Sequence, residues 1–65
     1  MISLHDEVMF LGKINEIRVG KVLGLVDEFG YASVDCGGLL AYYVPVKELI
    51  HYTEGTFIKL KLEYS

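Results

Sequence analysis

Sixty-five residues and 7.3 kDa hold one domain, spanning 1–65, with no room for a two-domain cleft or a large cofactor fold. The chain is 52% apolar and 23% charged, with a mean hydropathy of +0.37, so it has ample surface to bury and is not a disordered chain. Nine acidic against six basic residues leave a net charge of −3, which disfavours a phosphate-neutralising face, and one cysteine excludes an intramolecular disulfide or a zinc site of several thiolates.

The dominant hydrophobic period along the chain is two. The start, Met1 to Glu7, lacks a basic stretch followed by an apolar run, so no signal peptide is expected. Val8–Leu11 is a short apolar run closed by Gly12, and the polar segment Gly12–Glu16 reads as a loop. Ile17–Val26 reads as a long strand interrupted at Gly20 and Gly24, where a bulge or bend is expected. Asp27-Glu28-Phe29-Gly30 forms a tight connection, with Gly30 free to take a positive φ. Tyr31–Cys36 is the next strand, Gly37-Gly38 signals a hairpin, and Leu39–Val44 returns before Pro45 stops the ladder. Val46–Ile50 has the length of one helical turn. After Gly55, Thr56–Tyr64 carries the clearest alternation, with Ile58, Leu60, Leu62 and Tyr64 set against Lys59, Lys61 and Glu63, and reads as the last strand. No apolar stretch reaches the roughly 18 residues of a membrane span.

Five short strands with one helical turn before the last predict an all-β, five-stranded SH3-like barrel, with an OB-like barrel as the alternative. Residues 6–50 carry a resemblance to known families. "DEVMF" at Asp6–Phe10 resembles the opening strand of SH3-like barrels, and "GKVLGLVDEFGYASVD" at Gly20–Asp35 resembles the central strand pair of KOW-like barrels. "YYVPVKELI" at Tyr42–Ile50 is similar to the strand, proline and turn that close such barrels. The plasmid-borne type II dihydrofolate reductases share this layout, including a Gly-Tyr-Ala start to the third strand, here Gly30-Tyr31-Ala32. Their pore-lining Val-Gln-Ile-Tyr matches Ala41-Tyr42-Tyr43-Val44, where Tyr42 stands in place of the glutamine. "VDCGGLLAYYVP" at Val34–Pro45 also resembles two OB-type barrels, the hydrogenase-maturation chaperones and the N-terminal domain of the Holliday-junction protein. The chaperones' cysteine after Met1 is Ile2 here, and the basic segment that the junction domain needs after its last strand has no counterpart before Ser65. What these resemblances imply is a fold rather than an activity.

No polar constellation points to catalysis, a cofactor or a metal. His5-Asp6-Glu7 with His51 offers nitrogen and oxygen donors, but their places read as a chain end and a surface loop. Cys36 falls in step with Ala32 and Val34 and reads as a small buried hydrophobe rather than a nucleophile. Asp35 before Gly37-Gly38 reads as a cap on its own turn. The seven glycines form no phosphate loop. A non-enzymatic protein is expected.

The informative feature is where the apolar residues fall. With Val22 and Val26 facing the core, alternation turns Lys21, Leu23 and Leu25 outward; with Ala32, Val34 and Cys36 inward, Tyr31 is outside. Leu40, Tyr42 and Val44 inward put Tyr43 outside, and Phe57 opposes Ile58 on the last strand and is outside too. Leu23, Leu25, Tyr31, Tyr43 and Phe57 are thus expected to form an outer apolar face, the composition of an interface core. That face is open to the N-terminal residues 1–4 or the 12–16 loop, to a second copy, or to a different protein. Tyr42 and Tyr52 near Pro45 form a candidate peptide groove. The expectation is a self-associating protein–protein interaction module in the cytoplasm, without membrane contact. A short reading frame starting at its own Met1 further suggests a phage- or mobile-element-encoded modulator of a host protein, acting in the host cytoplasm. The alternative is a nucleic-acid-associated barrel using Lys13, Arg18 and Lys21 on one side, with Lys59 and Lys61 on another.

Overall fold

A computed structural model describes residues 1–26 and 28–64. Asp27, which the sequence puts in the turn after the long strand, and Ser65 lie outside the described residues. The chain forms β1 (Glu7–Leu11), β2 (Ile17–Val26), β3 (Tyr31–Asp35), β4 (Tyr42–Pro45), a 3₁₀ turn (Val46–Glu48), β5 (Ile50–His51) and one helix, α1 (Glu54–Glu63). All strand pairings are antiparallel, and the order across the sheet is β4-β3-β2-β1-β5. The sheet is open rather than closed on itself, with β4 and β5 at its two edges.

β1, β3 and β4 follow the alternation of the sequence, as does β2 up to Val22. Val8, Phe10, Val22, Ala32, Val34, Val44 and Leu49 form the main core, with Ile2, Leu25, Cys36 and Val46 packed against it. Gly30 takes a φ of +70°, as its place in the turn requires. The single helical turn expected over Val46–Ile50 is the 3₁₀ turn, followed by a fifth strand that returns to β1.

A bulge does occur in β2, and it alters which side chains face where. Val22 stands opposite Val34, but Gly24 stands opposite Ser33, so Leu23 is the extra residue and the alternation slips by one. Leu25 then pairs with the buried Ala32 and packs on the core, while Val26 pairs with Tyr31. Leu25 is therefore not on the outer face, and Val26 is not in the core cluster. Strand counting across the two glycines fails because one added residue inverts every later side chain.

Two further expectations are corrected at β4 and at the C-terminal segment. Gly37-Gly38 does not make a tight hairpin; β4 begins only at Tyr42, and Leu39 and Leu40 stand in the connection, 104% and 82% exposed. Leu40 therefore does not face the core. The predicted last strand, Thr56–Tyr64, is the helix α1, and the true fifth strand is two residues long. Thr53 supplies the helix N-cap, its Oγ1 accepting from the Thr56 N–H at 3.2 Å. Glu54 in the first turn and Lys61 in the last suit the helix dipole. Phe57, Leu60 and Tyr64 recur at helical spacing, and Phe57 and Leu60 are half-buried, while Ile58 and Leu62 are exposed.

Those helical residues answer a second apolar layer. Met9 is completely buried, yet it lies between Val8 and Phe10 on the strand and so on the opposite face of the sheet. It stands opposite Val19 on β2 and Ile50 on β5, with Leu11 opposite Ile17 on the same face. Ile17 shares a surface depression with Phe57, Lys61 and Tyr64, and Leu11 and Ile50 share another with Leu60 and Tyr64. These surfaces set α1 over the Met9 face. The N-terminal segment instead turns toward the main core. His5 N–H donates to the Val22 carbonyl at 2.8 Å, Val22 N–H donates to the Asp6 carbonyl at 2.9 Å, and Ile2 packs on the core cluster.

Candidate functional surface

The side of the sheet opposite the main core is divided in two. Its β1–β5 half lies under α1. Its β3–β4 half carries Tyr31 and Tyr43 stacked on each other, with ring centroids 4.7 Å apart and an interplanar angle of 15°. The pair meets because Ser33 is opposite Tyr43 and Tyr31 is opposite Pro45, so both tyrosines stand on one face two registers apart. Tyr43 is 56% exposed, and the bulge residue Leu23, on β2, is 51% exposed. Of the five residues assigned to an outer face, Leu23, Tyr31 and Tyr43 remain there, while Leu25 packs inward. Phe57 lies on the helix instead, with its ring 5.7 Å from Tyr52 and the Lys61 ammonium 5.2 Å from its centroid.

On the core side, a groove of about 290 Å³ runs between β4 and the β1–β2 turn. Tyr42 and Pro45 both line it, as the sequence suggested, but Tyr52 does not; Phe10 and Arg18 complete the wall. Phe10 packs against Tyr42 at 5.7 Å, and the Arg18 guanidinium lies 4.7 Å over the Tyr42 ring. Arg18 also binds Glu16, with Nη2 at 3.1 Å and Nε at 3.2 Å from Oε2. The guanidinium is thus held by an aromatic face and a carboxylate.

The β1–β2 turn owes its shape to that same carboxylate. Glu16 Oε1 accepts from the Ile14 N–H at 3.1 Å, Gly12 N–H donates to the Glu16 carbonyl at 2.8 Å, and Asn15 takes a φ of +62°. The Glu16 carboxyl is held below its ordinary pKa, chiefly by its own backbone N–H; desolvation opposes this, and Ile14 and Arg18 add to it. A lowered carboxyl pKa means that the unfolded chain binds the proton more tightly. The stabilisation is thus intact above the ordinary glutamate value of about 4.3 and is lost as pH falls through the lower folded value. Wild type is expected to melt above Glu16→Gln at neutral pH, with the gap narrowing below about pH 4. A gap in thermal midpoint that stays constant through the acid titration would remove this role.

The basic residues are dispersed. Arg18 faces the core side opposite Phe10, whereas Lys21 stands on the other face between Glu7 on β1 and Asp35 on β3. Lys13, Arg18 and Lys21 therefore do not form one side. Asp35 Oδ1 accepts from the Gly37 N–H at 2.8 Å, the turn cap read from the sequence. His51 Nε2 lies 3.3 Å from Asp6 Oδ2, which also accepts from the Ser3 N–H at 2.8 Å, tying the N-terminal turn to β5. Among the described residues no cluster of three or more His, Cys, Asp or Glu could hold a metal ion, and no helix is long and apolar enough to cross a membrane. Cys36 is half-buried; desolvation is the main cause that pushes its thiol pKa up, Asp35 adds to it, and Arg18 opposes it.

No protein-family model, curated protein or solved structure matches this chain. The surface itself is the only guide to its role. Sequence reasoning missed the exposed Leu39-Leu40 pair and the split of the outer face by α1. The first has no signal in the sequence, because a two-residue turn at Gly37-Gly38 would set Leu39 opposite Cys36, and only the observed register, with Tyr42 opposite Val34, leaves both leucines in the connection.

Proposed function

We propose that this protein is a non-enzymatic, self-associating protein–protein interaction module built on an SH3-like framework. The framework reading draws support from the four-strand meander, the 3₁₀ turn after Pro45, and the fifth strand that returns to the free side of β1. The observation that carries the function is the open β3–β4 half of the outer face. There Tyr43, stacked on the half-buried Tyr31, and Leu23 stay exposed although α1 serves the other half. Exposed tyrosine and leucine on one face, here flanking Ser33, are interface material, since they combine large apolar area with few rotamers to immobilise.

Leu23→Asp/Tyr31→Asp, both on the outer face, tests the reading. Leu25→Asp does not, because Leu25 packs on the core and its charge would unfold the domain. Sedimentation velocity from micromolar to millimolar protein is expected to show mass rising with concentration at both low and high salt. The double variant should weaken association by about tenfold or more while keeping its circular dichroism spectrum. A wild type that stays monomeric across the range would remove self-association from the reading.

A further inference from the structure

The edge of the sheet at β4 has a feature beyond its exposed side chains. Val46 N–H donates to the Gly30 carbonyl at 2.7 Å, one step past the Tyr31–Pro45 pair. Antiparallel pairs alternate between those that exchange hydrogen bonds and those that do not. Val44 opposite Ala32 and Tyr42 opposite Val34 therefore turn their backbone groups toward β3, and Tyr43 and Pro45 turn theirs away from it. β4 is the last strand in the sheet order, so these groups face an open edge. Pro45 costs the ladder nothing, because its missing N–H would have pointed outward. Tyr43 is the strand residue that offers both a donor and an acceptor there.

Natural edges are guarded by charges, bulges or covering segments. The strand itself carries only the proline at one end, and Lys13, Glu16 and Arg18 of the neighbouring β1–β2 turn stand across the groove beside it. From Cys36 to Val46 the chain has no charged residue, in a protein of net charge −3. Two copies meet no like charge from the strand itself, and of the charges across the groove Arg18 and Glu16 are paired with each other. An antiparallel strand edge is also complementary to itself across a twofold axis.

Resting on the self-association proposed above, we infer that β4 pairs antiparallel with β4 of a second copy, on a twofold axis at Tyr43. Each Tyr43 N–H then donates to the second copy's Tyr43 carbonyl, and Tyr42 stands opposite the second copy's Val44. The Pro45 carbonyl accepts from the second copy's residue 41. A register one pair further along sets Pro45 against Tyr43 and loses a donor at each end; one pair back runs off the strand into the 36–41 connection. A four-residue edge buries little by itself against the roughly 1,200 Å² of a specific interface. The exposed Leu39, Leu40, Tyr42 and Tyr43 beside it supply the apolar area. The two Tyr31–Tyr43 stacks become one continuous aromatic face across the joint.

Amide hydrogen exchange and sedimentation on wild type, Tyr43→Pro and Tyr43→Lys test the pairing. Tyr43→Pro removes an N–H that the β3 ladder does not use, together with the ring stacked on Tyr31, and Tyr43→Lys keeps the N–H but sets two like charges face to face. The expected result is a wild-type dimer whose Tyr43 amide gains protection as concentration rises, with each variant dimerising about tenfold or more weakly. Should Tyr43→Pro lose its native circular dichroism, Tyr43→Lys and the wild-type exchange rates decide the matter. A dimer in which the Tyr43 amide exchanges freely and Tyr43→Lys has no effect overturns the edge pairing and leaves self-association standing. A wild type monomeric at all concentrations overturns both.

Discussion

Met9→Ala is expected to destabilise the protein by about 2–4 kcal/mol, as much as a residue of the main core. The reason is that Met9 is fully buried on the face opposite that core, between Val19 and Ile50 and beneath α1. Truncation leaves a void that the sheet cannot collapse into, because β1 is held by a partner strand on each side. For a domain of this size, whose single core rarely supplies more than about 3–5 kcal/mol, that loss is close to complete unfolding. Met9→Leu, which conserves volume, should cost less than about 1.5 kcal/mol. Urea denaturation of the three proteins reads both values. A loss under about 1 kcal/mol for Met9→Ala would mean that α1 does not seal a second layer.

Gly20→Ala is the second large effect, and it arises from excess rather than loss. A Cβ added at Gly20 would lie 2.5 Å from the Asp35 carbonyl oxygen, 2.8 Å from Val34 Cγ1 and 2.9 Å from Cys36 Sγ. Gly20 sits opposite Val8 on β1, where β2 crosses close to the end of β3. The carbonyl belongs to the backbone, so relief requires the strands to part. A cost of about 1–3 kcal/mol is expected, at the level of overpacking in a well-filled core. Gly24→Ala provides the internal control, because a Cβ there meets nothing within 4 Å. It should be neutral or slightly stabilising, through a less flexible unfolded chain. Equal midpoints for the two variants in thermal denaturation would contradict the close approach at Gly20.

The contrast between these glycines shows where reading by alternation reaches its limit. Both interrupt the same strand, and the sequence marks both as sites of a bend or bulge. Only the pairing register shows that the extra residue is Leu23, that Gly24 lies beyond the slip, and that Gly20 is pressed against β3. The outer face was legible where no slip intervened, at Tyr31 and Tyr43 on the regular strands β3 and β4. It was misread at Leu25, which follows the bulge. Phe57 was misread for a different reason. Thr56–Tyr64 alternates cleanly, but alternation states only that apolar and polar residues take turns. It does not say whether a neighbouring strand offers hydrogen bonds. Here the Thr53 cap and the Met9 face make a helix the better use of Phe57, Leu60 and Tyr64.

Local chemistry determined β1 to β3, the turn at Gly30, the Asp35 cap and the helical turn after Pro45, since each depends on residues adjacent in the chain. It also set the apolar excess that exceeds one core. Tertiary structure decided what becomes of that excess, because burial depends on which faces meet. Met9 is sealed beneath α1, and Leu25 is turned inward by the bulge at Leu23. Tyr43, Leu23 and the uncharged β4 edge stay uncovered, since α1 is the one α-helix among the described residues and it serves the other half of the sheet.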